Sequence, residues 1–167
     1  MCQSISDENP LLMGLSFGGM MAIEMAKIIP VKKLVLISTV KNRNELPRWI
    51  KCCGYLKLNK IFPLKSYKIF EPIQNYNLGV ATEEEKIMVR NFRKNVQQVY
   101  LDWAINEILN WKNNWQPSSY IHINGDNDRI FSAKKIKHFV CIKNGGHFMI
   151  MNMAAEISTQ ILSYINR

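Results

Sequence analysis

Ser16 has a glycine two positions away on each side, in Gly14-Leu15-Ser16-Phe17-Gly18. Alone, a serine hydroxyl is a weak nucleophile. It needs a base within hydrogen-bond reach and a third group to orient that base. The chain offers three histidines. His122 sits in the strand-like run Ser119-Tyr120-Ile121-His122-Ile123-Asn124 and reads as a packed strand residue. His138 precedes the strand-like Phe139-Val140-Cys141-Ile142 and reads as a solvated strand start. His147 lies in Lys143-Asn144-Gly145-Gly146-His147-Phe148, a glycine loop after one strand and just before an apolar helix. Such a loop can carry an imidazole to the top of a sheet. The orienting acid should also follow a strand, and Gly125-Asp126-Asn127-Asp128-Arg129 supplies two carboxylates. Asp126 follows the turn glycine directly and suits a turn cap. Asp128 lies deeper in the loop and is the favoured partner of His147.

The elements that must position these groups are legible around them. Leu11, Leu12 and Met13 form a short apolar run, as in a buried parallel strand. Gly18 to Ile29 is helix-forming and apolar on nearly every face, which predicts a buried helix closed by Pro30. Ser16 therefore falls where a strand turns sharply into a helix. Gly14 and Gly18 would have no Cβ to clash in that turn. The helix N-terminus behind the serine would favour developing negative charge. A glycine turn with a bystander serine is the competing reading, because G-x-S-x-G arises often by chance. Lys33 to Ser38 reads as a second buried strand.

Three stretches in this order, "GLSFGGM", "INGDNDRIF" and "IKNGGHFMI", resemble the nucleophile elbow, acid loop and histidine loop of the α/β-hydrolase fold superfamily. The resemblance runs from about Leu11 to the C-terminus and is to small, cap-bearing serine hydrolases. It implies an α/β fold, with a mostly parallel sheet flanked by helices and a helical cap insertion. The expected core is 1–40 and 117–167, with 41–116 as the cap. The resemblance implies Ser16 as nucleophile, His147 as base, Asp128 as orienting acid and the Phe17 N–H as one oxyanion donor, with no metal or organic cofactor. Only ten residues precede Leu11, too few for the strands that normally come before the elbow. The expectation is a partial fold that lacks those strands and the loop giving a second oxyanion donor.

Composition limits the other classes. The chain has 167 residues, suited to one domain, and its apolar fraction of 47% argues against disorder. No apolar stretch is long enough to span a bilayer, and Met1 to Asn9 lacks the pattern of a secretory signal. Cys2, Cys52, Cys53 and Cys141 make neither a metal pattern nor a disulfide framework. Reduced thiols and a cytoplasmic setting are expected. The formal charge of +9 is concentrated between Lys27 and Lys68, where Lys32, Lys33, Lys41, Arg43, Arg48, Lys51, Lys57, Lys60 and Lys65 face only Glu45. Solvated helix faces account for such a run. An electropositive rim that attracts anionic substrates, acidic carriers or membrane surfaces is the functional alternative. No zinc spacing, RNA-binding aromatic signature or base-reading basic helix points to nucleic acid.

Within the expected cap, Thr82-Glu83-Glu84-Glu85 reads as a capping box opening a helix. Val96 to Lys112 reads as a long helix with Val99, Trp103, Ile105, Ile108, Leu109 and Trp111 as its apolar stripe. Trp103, Trp111 and Trp115 either line an acyl pocket or pin the cap helices to the core. A last helix is expected from about Phe148 to Ile165. The function implied is acyl transfer from an ester, thioester or related small molecule to water. The alternative is a catalytically inactive fragment, at most a binding module. An apolar first strand left at the sheet edge would also invite self-association.

Overall fold

A computed structural model describes residues 2–57 and 71–167. Lys60 and Lys65 of the basic run, and part of the expected cap, lie outside the described residues. Four parallel strands form one sheet in the order β1-β2-β3-β4: Leu11–Leu15, Lys33–Ile37, Ile121–Gly125 and Val140–Ile142. Helix α1 (Phe17–Ala26) joins β1 to β2. Helices α2 (Arg48–Tyr55), α3 (Glu71–Leu78), α4 (Glu83–Asn95) and α5 (Gln98–Asn110) lie between β2 and β3. Helices α6 (Met149–Asn152) and α7 (Ala154–Ile165) follow β4.

A strand buried on both faces reads as a continuous apolar run, and Leu34-Val35-Leu36-Ile37 of β2 is one. Leu34 and Leu36 pack with Ala22 and Ile23 of α1 on one face. Val35 and Ile37 pack with Ile123, Ile142 and the α7 residues Ile157 and Ile161 on the other. A third cluster joins Met20 of α1 to Val40, Leu46, Ile50, Leu109, Phe131 and Ile136, fastening the segment after β2 and the end of α5 over the elbow helix.

Several expectations need correction. β1 is not a buried strand: Leu11, Met13 and Leu15 are 38%, 50% and 40% exposed. They share a sheet face with Val35 and Ile37, but the cluster under α7 takes in residues of β2, β3 and β4 and none of β1, which stands at the sheet edge. Helix α1 is buried along one face only, through Gly19, Met20, Ala22 and Ile23, and ends at Ala26, four residues before Pro30. Val99 and Trp103 do not face the core; Ala104 and Leu109 are the buried positions of α5. The last helix is interrupted at Met153, whose non-helical φ of −126° and ψ of 29° separate α6 from α7. The capping box at Thr82 forms as read: its side chain accepts from the Glu85 N–H, and the Glu85 carboxylate accepts from the Thr82 N–H.

The basic run is not one surface. Lys41 is fully buried and ion-paired with Glu45 at 2.8 Å. Arg43 donates to the Trp111 carbonyl, and Lys33 donates to the Tyr164 carbonyl while lying over that tyrosine's ring. Three of the charges therefore hold the fold together.

Candidate active site

Ser16 is the single residue between β1 and α1, with φ 53° and ψ −120°. A β-carbon residue at positive φ is strained, by about 1–3 kcal/mol, and persists only where its surroundings fix it. Here the Ser16 N–H donates to the Ile37 carbonyl at 2.9 Å. Its own carbonyl accepts from the Gly19 N–H at 3.0 Å and from the Thr39 hydroxyl at 2.7 Å. The side chain is left to project at the carboxyl end of the sheet.

Of the two glycines flanking it, Gly14 does the work expected and Gly18 does not. A Cβ on Gly14 would lie 2.3 Å from the Gly18 carbonyl oxygen, so Gly14 is needed for strand and helix to approach. A Cβ on Gly18 would meet nothing within 4 Å, so sterics do not explain Gly18. A second demanding position is Gly19, where a Cβ would fall 2.6 Å from the Thr39 methyl.

The structure brings Ser16, His147 and Asp128 together from three loops. Ser16 Oγ is 2.9 Å from His147 Nε2, and His147 Nδ1 is 2.9 Å from Asp128 Oδ2. The second Asp128 oxygen accepts from the backbone N–H groups of Ile130 and Phe131, both at 2.8 Å. A carboxylate held in this way accepts from Nδ1–H, which leaves the Nε2 lone pair facing the serine hydroxyl. Asp126 is exposed and meets the fold through its backbone, its N–H donating to the Ile142 carbonyl.

The histidine loop is built by close backbone approaches. A Cβ on Gly125 would fall 2.0 Å from the Gly145 carbonyl oxygen, so the acid and histidine loops touch backbone to backbone. Asn144 takes the left-handed φ of 61° before the glycine pair. The Phe148 N–H donates to the Leu78 carbonyl, tying the loop to the end of α3. The His147 ring is buried, with the Phe131 ring edge-on at 5.5 Å.

Phe17 opens α1, and the first N–H groups of a helix have no intrahelical acceptor. Its amide therefore stands next to the serine at a helix N-terminus. The Phe17 ring meets Trp103 edge-on at 5.4 Å, and Trp103 in turn meets Tyr100 at 5.9 Å. Trp111 instead donates its indole N–H to Glu24 of α1 at 2.8 Å and packs on two core clusters. Trp103 abuts the elbow; Trp111 is a pin.

The other two histidines lie apart from this arrangement. His138 is exposed, at φ 53°. His122 is buried in β3 and meets Lys41 and the Thr39 carbonyl. Burial first, then the Lys41 charge, push its pKa down from 6.5 to about 3, against a smaller upward pull from Thr39. The sequence reading passed over Thr39 and the Lys41–Glu45–His122 group. The available signal was Glu45, one acid among many bases and four residues after Lys41. Among the described residues no cluster of metal-ligating side chains occurs, and no helix is long and apolar enough to cross a membrane.

The architecture is matched among solved structures. The chain is similar to a bromoperoxidase from Bacillus anthracis, with TM-score 0.70 and 14% identity over 99% of this chain and 70% of that one. It is similar to a hydrolase from Pseudomonas aeruginosa PA01, with TM-score 0.71 and 14% identity over 99% of this chain and 68% of that one. It is also similar to MGS-M2, an α/β-hydrolase enzyme from a Medee basin deep-sea metagenome library, with TM-score 0.62 and 15% identity over 99% and 68%. No family model and no curated protein matches the sequence. Four parallel strands flanked by helices match part of the α/β-hydrolase fold of these neighbours.

Proposed function

We propose that the protein is a serine hydrolase in which Ser16, His147 and Asp128 form the catalytic triad. One observation carries the reading: a serine strained at a strand-to-helix turn, hydrogen-bonded to an imidazole that is itself held by a buried carboxylate. His147 takes the proton of the Ser16 hydroxyl as Oγ attacks a carbonyl carbon. It then returns that proton to the leaving group, and water repeats the sequence in reverse to release the acid. Asp128 keeps the tautomer and stabilises the imidazolium. The Phe17 N–H receives the developing oxyanion. Carboxylic esters and thioesters are the proposed substrates, and no cofactor is required.

Helices α2 to α5 are proposed as a cap whose Trp103 and Tyr100 extend an apolar wall from Phe17 toward the acyl group. The four free cysteines support a reducing, cytoplasmic setting. The fold alone does not select the reaction, since one α/β scaffold hosts many chemistries. A fluorophosphonate probe tests the proposal directly. Ser16 should be labelled, and Ser16→Ala should abolish labelling. Labelling that persists in the Ala variant would refute it. A wild-type chain that takes no probe would favour the inactive, binding-module reading.

The uncovered face and outer edge of β1 lead to a second expectation. A second copy pairing along Leu11–Leu15 would satisfy its free N–H and C=O groups and cover Met13. Light scattering after size exclusion should show dimers or larger species, and Met13→Lys should shift them toward monomer.

A further inference from the structure

We infer that Thr39 is a positioning residue for Ser16, held in place from behind by the imidazole of His122 and the buried Lys41–Glu45 pair. The inference rests on reading Ser16 as the nucleophile.

The residues form one hydrogen-bonded chain from the interior to the elbow. The Thr39 hydroxyl donates to the Ser16 carbonyl at 2.7 Å. The Thr39 carbonyl accepts from His122 Nε2 at 3.1 Å. His122 Nδ1 accepts from Lys41 Nζ at 3.0 Å. The direction of each bond is forced. An ammonium has donors only, so Nδ1 must be the acceptor. A neutral ring then carries its proton on Nε2, and that proton points at the Thr39 carbonyl. Lys41 also donates to the Lys137 carbonyl at 2.7 Å and pairs as an ion with the Glu45 carboxylate at 2.8 Å. Glu45 is fixed in turn by the backbone N–H groups of Lys41 and Lys137. Every member from Thr39 to Glu45 has a partner, as a buried polar chain requires.

A network placed only for stability need not end on the nucleophile's own peptide. This one does, at a residue whose conformation is costly. The Ser16 N–H is held by Ile37, and its carbonyl by Gly19 and Thr39. Losing the Thr39 bond leaves the carbonyl on Gly19 alone, and the strained peptide can rotate. Rotation swings Oγ away from His147 Nε2. Thr39 also lays its methyl against Gly19, so its hydroxyl and methyl touch the two ends of the same helical turn.

The test separates hydroxyl from methyl in the full chain. Thr39→Val keeps the shape and removes the O–H; Thr39→Ser keeps the O–H and removes the methyl. The rate of fluorophosphonate labelling at Ser16 should fall about 10–100-fold in Thr39→Val, the range expected when a reacting group is misplaced by a fraction of an ångström. It should stay within a few-fold of wild type in Thr39→Ser. With an ester substrate the loss should appear in kcat and leave KM unchanged. Amide hydrogen exchange gives a readout that needs no activity: peptides covering residues 16–20 should exchange faster in Thr39→Val, while β2 and β3 stay protected. If Thr39→Val does not fold, Thr39→Ala against Thr39→Ser asks the same question.

Unchanged exchange at 16–20, an equal defect in Thr39→Ser, or loosening of the whole sheet would each overturn the inference. A wild-type chain that takes no probe would refute the serine-hydrolase reading, while the exchange result would still decide whether Thr39 fixes Ser16.

Discussion

Two buried histidines, one within the sheet and one in a loop at its carboxyl end, are held in opposite ways. His147 has a carboxylate at Nδ1 and a hydroxyl at Nε2. His122 has an ammonium at Nδ1 and a carbonyl at Nε2. The anion leaves His147 with a free lone pair on the nitrogen that faces Ser16. The cation consumes the only lone pair of His122 and turns its other nitrogen into a donor. One ring can take a proton; the other can only hold its neighbours in place. The sign of one adjacent charge separates a ring that keeps an accepting nitrogen toward its neighbour from one that only donates to it.

The largest effect that should sharpen this contrast is at the carboxylate. Asp128→Asn offers an amide where Nδ1–H needs an acceptor and should lower turnover by about 10⁴-fold, as for a triad acid elsewhere. Asp126→Asn, at an exposed turn position, should change it by less than a few-fold. Kinetics of both variants on one ester decide the assignment, and the reverse ranking would overturn it.

At the other histidine the equivalent substitution acts on stability. Lys41→Met leaves the Glu45 carboxylate buried without its counter-ion, which should cost roughly 3–5 kcal/mol. Urea titration followed by fluorescence measures it. A loss below about 1 kcal/mol would mean that Glu45 finds another partner or reaches water.

The pH dependence follows from His122, whose folded pKa lies near 3 against 6.5 for the unfolded ring. Above pH 6.5 the ring is neutral in both states, and its contribution is complete. Below it, the unfolded chain takes up a proton that the native chain refuses. Stability should therefore fall by about 1.4 kcal/mol per pH unit from this group between pH 6.5 and 3. His122→Gln, which cannot titrate, should flatten that part of the urea-midpoint profile; an identical slope would remove His122 as its source.

Thr82→Ala, remote from both histidines, sets the lower end of the scale. It deletes one half of an exposed capping box and should cost about 1 kcal/mol, read as a shift in urea midpoint, with no change in labelling at Ser16.

What the sequence by itself determined is local. Gly14 through Gly18 specifies a strand ending in a tight turn and a helix, because only glycine lets β1 and α1 approach backbone to backbone at Gly14. Thr82 and Glu85 specify a helix start within four residues. The apolar run Leu34–Ile37 specifies a strand covered on both faces. The order of the serine, acid and histidine loops was legible because each follows a strand.

Only tertiary structure decided what these pieces meet. Ser16 and His147 are 131 residues apart in sequence, and their 2.9 Å contact depends on Gly125 and Gly145 touching between the two loops. Burial of β1 failed as an expectation because hydrophobicity does not say which strand a distant helix will cover. Lys41 looked like surface charge because its partners, Glu45, His122 and the Lys137 carbonyl, come from three segments. Short-range backbone preferences are written in neighbouring residues. The protonation state of a buried ring depends on which charge folding brings beside it, and that charge is not a neighbour in the chain.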